Sequence, residues 1–176
     1  NAFLTTHLCA AVAALTWMVI DWLYSGKPTC VGMCTGAVGG LVAITPAAGS
    51  VDVIGAMAIG VLVSIVCYFM VAFVKSKLGY DDSLDAFGVH GIGGIVGSIL
   101  TGVFCVKAVG GVDGALYDGW HQLSVQILST LFSIVYSGVL TLIIYVIIDK
   151  TLGMRVGKRE EEEGLDIYEH GEMAYN

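Results

Sequence analysis

Three carboxylates and a histidine fall close together in the run Asp81-Asp82-Ser83-Leu84-Asp85-Ala86-Phe87-Gly88-Val89-His90-Gly91-Ile92-Gly93-Gly94. They stand at the start of a segment, Ala86 to Val106, that carries no acidic or basic residue except His90 and is about long enough to cross a bilayer. An ionisable side chain at that depth is costly, and by default it marks a functional position. Asp85 is placed to act as N-cap of the helix, accepting from a backbone N–H two or three residues on and setting its charge against the positive end of the helix dipole. Asp81 and Asp82 read as solvated loop carboxylates that compete for the same role. His90 then lies roughly 7 Å further along the helix.

Burial among apolar neighbours penalises the charged form of an imidazole, so a neutral ring is expected at His90. Such a ring offers one donor and one acceptor nitrogen. Two roles fit equally: contact with a small polar molecule or proton on a narrow apolar path, or a hydrogen bond to a neighbouring helix. His121, beside Trp120 and Gln122, reads as an interfacial anchor, and His7 lies inside the first apolar segment facing either a cavity or a partner helix. Thr5, Thr6, Thr16, Ser64, Ser98 and Thr101 are expected to satisfy carbonyls within their own helices. The five cysteines, Cys9, Cys30, Cys34, Cys67 and Cys105, all lie in apolar stretches with no C-x-x-C pair, which fits small packing residues better than a metal site or a disulfide framework. There is no H-E-x-x-H pattern or serine nucleophile motif, so an intramembrane hydrolase is poorly supported, and neither a metal nor a cofactor is expected.

The elements that must position these residues are membrane spans. Of 176 residues, 56% are hydrophobic and only 13% charged, half the charge of a typical soluble domain, and mean hydropathy is +0.83. The 24 glycines suit helices that approach one another closely in lipid. Five apolar segments stand out, at about 2–23, 29–48, 51–74, 86–106 and 123–148, followed by a polar tail over 151–176. The prediction is an all-α, polytopic membrane helix bundle of five transmembrane helices over 1–150. Gly36 and Gly40, and Gly93 and Gly97, are spaced for tight helix contacts, and the glycine-rich fourth segment is expected at a central, buried position.

Loops taken alternately place Lys27, Lys75, Lys77, Lys150, Arg155, Lys158 and Arg159 on one side and Lys107 alone on the other. By the positive-inside rule the C-terminal tail is cytosolic and Asn1 lies outside. No signal peptide is evident, and the chain reads as the later part of a longer protein. The tail sets Arg155, Lys158 and Arg159 against Glu160 to Glu163, Asp166, Glu169 and Glu172, a solvated acidic segment with nothing to bind nucleic acid.

The run from Asp81 through Gly93-Gly94-Ile95-Val96-Gly97 resembles the signature of the ammonium transporter (Amt/Mep/Rh) family. Gly40-Leu41-Val42-Ala43-Ile44-Thr45-Pro46-Ala47-Ala48-Gly49, Thr101-Gly102-Val103-Phe104, His121-Gln122-Leu123, Gly164-Leu165-Asp166 and His170-Gly171-Glu172-Met173-Ala174-Tyr175 are similar to family stretches in the same order, the last two to the tail of microbial members. The resemblance implies the last five of eleven membrane helices. The earlier helices would bring an outer aromatic recruitment site, a phenylalanine gate and the first of two pore histidines. It implies that His90 is the second of that pair, that Asp85 is a family carboxylate at the head of the same helix, and that Ala86 adjoins the pathway. The implied activity is ammonium or ammonia transport across the plasma membrane by a homotrimer with one pore per subunit: ammonium is captured, loses a proton, and passes the histidines as ammonia. Arg155, Gly164, Leu165, Asp166, His170, Gly171, Glu172 and Tyr175 are implied in a regulatory tail open to a PII-type signalling protein. An ammonium sensor or regulatory scaffold with little flux is the alternative.

Overall fold

The computed structural model describes residues 1–173. Tyr175, expected in the regulatory tail, lies outside them. Two compact units are distinguished, Asn1–Leu131 and the residues from Phe132 onward.

In the first unit, α1 spans Ala2–Ser25, α2 Cys30–Ile44, α3 Val53–Leu78 and α4 Phe87–Phe104. Helix α5 spans Trp120–Thr151, and its residues up to Leu131 belong to this unit. All but α2 are long and apolar enough to cross a bilayer. Helix α2 has 15 residues, about 22 Å at 1.5 Å per residue, because the chain leaves the helix for a series of turns from Thr45, where Pro46 supplies no N–H to continue the ladder. The segments expected at 51–74 and 123–148 are longer as helices, and the stretch 107–122 is not a plain loop: it holds helical turns at Lys107–Gly110 and Ala115–Tyr117. Among the described residues there is no β-strand, only an isolated bridge between Val51 and Cys105, which together with a Val106 N–H to Ser50 carbonyl bond ties the turn before α3 to the end of α4.

Local capping explains where helices begin. The Thr29 hydroxyl accepts from the Gly32 N–H at 3.0 Å, and Asp52 accepts from Gly55 at 2.7 Å. Gly26, with φ 77°, closes α1 in a left-handed conformation and donates to the Trp22 carbonyl.

The core of this unit is small-residue packing. Helix α1 lies against α2 and α3, and α4 lies against α2 and α3. Cys9, Ala13, Ala43, Ile44, Ala56, Ile59, Val63 and Cys67 are all fully enclosed. The paired glycines of α2 let α1 approach closely: a Cβ on Gly40 would meet the Ala13 Cβ at 2.7 Å, and one on Gly36 the Trp17 Cβ at 2.6 Å. Gly97 of α4 abuts the backbone of Ala43 in the same manner. Ser64 does not bond within its own helix; its hydroxyl donates to the Ala13 carbonyl of α1 at 2.9 Å. Thr5 spans both options, reaching Asn1 and Ala2 carbonyls locally and Ala48 at 2.9 Å. Thr16 and Thr101 bond four residues back, as expected.

In the second unit, the remainder of α5 is exposed along nearly its whole length, including Phe132, Tyr136, Leu142 and Ile147. A short helix, α6 (Lys158–Glu163), and a single wide helical turn at Asp166–His170 follow.

Candidate functional site

His90 sits in a π turn, Phe87–Gly91, that opens α4. Such turns carry one residue more than an α-turn and recur at functional positions. The turn is started by Asp82, not Asp85. The Asp82 Oδ2 accepts from the Phe87 N–H at 3.0 Å and the Gly88 N–H at 3.3 Å. The expectation that Asp85 is the cap is corrected. Asp85 has φ 55°, the left-handed region that non-glycine residues adopt only when their surroundings hold them there. Its carboxylate instead meets the Lys75 ammonium at 2.7 Å, and its carbonyl accepts from the Val89 N–H at 2.8 Å. Asp81 takes a 3.5 Å contact from the Ser83 hydroxyl.

The imidazole faces a groove of about 390 Å³ between α2 and the head of α4, lined by Cys30, Val31, Cys34, Thr35, Val38, Leu84, Val89 and His90. The two cysteines, one helical turn apart, present to the same side. His90 is exposed in this chain, so the burial expected of it is not supplied by these helices. Ala86 is exposed next to the half-buried Asp85. The groove therefore combines an apolar wall with one imidazole; Lys75, Asp85 and Ala86 are not among its lining residues. Among the described residues no cluster of three or more histidine, cysteine or acidic side chains could hold a metal.

His7 is also exposed and lines a second groove, of about 540 Å³, with Phe3, Thr6, Ala10 and Leu41. His121 lies in the first turn of α5, exposed beside the exposed Trp120.

The structure gives partners to two residues that the sequence pattern does not assign to a site. Lys75 is one, since nothing in its neighbourhood announces a partner ten positions on. Asp21 is the other. It is buried in α1 and accepts from the Thr29 hydroxyl at 2.7 Å, the same hydroxyl that caps α2. A lone carboxylate within the first apolar segment was the available signal.

In the tail, Arg155 grips Glu161 with two nitrogens, and Arg159 meets Glu163 at 2.7 Å. The Arg155 guanidinium holds the Glu161 carboxyl below its ordinary range, and hydrogen bonds from Arg159 and then Tyr168 do the same for Glu163. Gly164, with φ 105°, ends α6, and Leu165 and Asp166 lead into the wide turn. His170 closes that turn, Gly171 leaves it with φ 66°, and the Glu172 N–H returns to the Asp166 carbonyl at 3.1 Å.

Residues 1–175 match the family model described as Ammonium Transporter Family. The chain belongs to the ammonium transporter family. It is 51% identical over 175 residues to an ammonium transporter of Aquifex aeolicus, covering 99% of this chain and 41% of the relative. It is 44% identical over 176 residues to ammonium transporter Amt1 of Archaeoglobus fulgidus, covering 99% and 44%. The fold matches the crystal structure of Saccharomyces cerevisiae Mep2 with a TM-score of 0.83 at 35% identity, over 90% of this chain and 37% of that one. A solved Sensor Amt Protein matches with a TM-score of 0.83 at 27% identity, over 96% and 41%. The chain thus spans about two fifths of the length of the curated relatives it matches. It is a multi-pass membrane protein of this family, all-helical among the described residues, with four apolar helices long enough to cross a bilayer and the shorter apolar α2.

Proposed function

We propose that the full-length protein conducts ammonium or ammonia across the cell membrane, and that the groove bearing His90 is one wall of its pathway. The observation that carries this reading is the placement of an exposed imidazole on an apolar groove, in a π turn, within a chain of this family. Ammonium pays heavily to enter an apolar path as an ion. Loss of a proton removes most of that cost, and the neutral molecule then exchanges hydrogen bonds with the His90 ring nitrogens. Potassium and sodium have no proton to lose and stay out. Asp85 and Ala86, at the head of the helix that carries His90, belong to the same pathway, where a cation re-forms or is released.

The curated relatives are named as transporters, which supports conduction rather than sensing or catalysis. The charge distribution supports a cytosolic tail, and the resemblance of its sequence to the tail of microbial family members supports Arg155, Gly164, Leu165, Asp166, His170, Gly171, Glu172 and Tyr175 as regulatory residues with a PII-type protein as the partner. The transmembrane part is 1–150 and the tail 151–176, and membership of the family supports a homotrimer in the plasma membrane. The exposure of His90 in this chain fits a path closed by further helices of the whole protein.

The test is the full-length protein in liposomes, with ammonium-triggered current and internal pH recorded for wild type and His90→Ala. A selective wild-type signal that His90→Ala abolishes, or makes permeable to potassium, supports the reading. A normal, selective signal in His90→Ala sinks the role given to the imidazole. Silence from a folded wild-type assembly favours a sensor.

A further inference from the structure

Two wide helical turns meet beside the groove. One, Met70–Val74, interrupts α3 immediately before Lys75; the other, Phe87–Gly91, opens α4 and carries His90. They pack against each other: a Cβ on Gly88 would meet the Val71 Cγ2 at 2.9 Å. A π turn inserts one residue into a helix, and one residue is about 100° of rotation. The first turn therefore decides the direction in which Lys75 points. The second decides the direction of His90, and its phase depends on the residue from which it starts.

Asp82 caps the first N–H groups of that turn, and Asp85, which leads into it, holds φ 55° with its carbonyl taking the Val89 N–H. A non-glycine residue stays in this region only under restraint. Locally the Asp85 N–H is tied to the Asp82 carbonyl at 3.1 Å; the restraint from a distant element is the 2.7 Å bond from Lys75 Nζ to Asp85 Oδ1, made by two side chains each 27% exposed. Partial shielding from water makes such a pair stronger than a fully exposed one. We propose that Lys75 is a positioning residue for His90: its ion pair with Asp85 locks the left-handed start of the π turn and so sets where the imidazole stands in the groove. This rests on the transport reading for its functional consequence, though not for its structural one.

The experiment follows both in the full-length protein, in lipid nanodiscs for hydrogen exchange and in liposomes for flux. Lys75→Ala is expected to raise exchange of the amides in 85–92 about two- to fivefold, as loss of a partly exposed ion pair does, with little change in α1 and α2. Flux is expected to fall and the ammonium-to-potassium ratio to fall with it. Lys75→Arg, which keeps the charge, should restore the exchange pattern and the selectivity. Lys75→Ala combined with Asp85→Ala should raise exchange over 85–92 no further than either alone, as members of one pair do. Unchanged exchange over 85–92 in Lys75→Ala overturns the proposal, as does wild-type selectivity in a variant whose turn has loosened. If the wild-type protein carries no ammonium, the transport reading fails while the exchange measurement still decides whether Lys75 holds the turn.

Discussion

Gly39 and Gly40 are neighbours on α2, and the structure predicts opposite outcomes for the same substitution. A methyl on Gly40 would lie 2.7 Å from the Ala13 Cβ and 2.9 Å from both the Ala10 Cα and the Cys9 carbonyl oxygen. Two of those three atoms are backbone, so no side chain can turn aside, and α1 must retreat by roughly 0.7 Å to restore ordinary contact. A retreat of that size forfeits about a quarter to a half of each dispersion contact across the seam. Overpacking of this kind costs about 1–3 kcal/mol, and the better helix propensity of alanine returns only about 1 kcal/mol. The bond from the Cys9 thiol to the Gly40 carbonyl, 3.3 Å, would lengthen as well. A methyl on Gly39 meets nothing nearer than 3.9 Å, the Cys67 Sγ and a Val89 methyl, so Gly39→Ala keeps the propensity gain. The two variants should differ by roughly 2 kcal/mol, about a 30-fold difference in the unfolding equilibrium. Denaturant unfolding of the full-length protein in detergent, followed by tryptophan fluorescence, measures this directly. Equal stability of the two variants would refute the claim that α1 and α2 meet through backbone at Gly40.

Two further outcomes follow from single groups. Asp82→Ala removes the acceptor from the Phe87 and Gly88 N–H groups and should cost about 1 kcal/mol, whereas Asp82→Asn should cost much less; thermal unfolding of the two variants compares them. In the tail, Glu161 and Glu163 have carboxyls held below their ordinary value of 4.5. Because the folded-state value is the lower one, their contribution is fully present above 4.5 and is lost as pH falls through the lowered values. Order in α6 should therefore persist at neutral pH and decline below that range, a change that tail-specific hydrogen exchange or NMR would show; loss of order on raising the pH from 5 to 8 would contradict the assigned pairs.

The parts of the fold that depend on one helix at a time were legible. Length and the lack of charge mark the helices, and the i, i+4 spacing of Gly36 and Gly40 marks the face that α1 covers. What could not be read is whatever depends on a choice between equivalent neighbours made by a distant residue. Asp81, Asp82 and Asp85 are chemically alike, and any of them could cap a helix starting near Phe87. Lys75 decides the matter from the end of α3: once it draws Asp85 into an ion pair, Asp85 turns left-handed and Asp82 is left to receive the N–H groups. Ser64 is a similar case, since a serine in an apolar helix bonds to its own ladder unless another carbonyl comes within reach, and Ala13 does so only because Gly60 lets α1 approach; a Cβ there would meet the Cys9 carbonyl at 2.7 Å. The same reasoning separates the cysteines. Cys9, Cys67 and Cys105 are the enclosed packing residues that composition implied, but Cys30 and Cys34 lie on the groove with His90, because the face of α2 one helical turn along from its capped start looks toward the head of α4 rather than into the core. Hydrophobicity assigns a residue to a helix; only the neighbouring helix decides whether it becomes core, cap or wall of the groove.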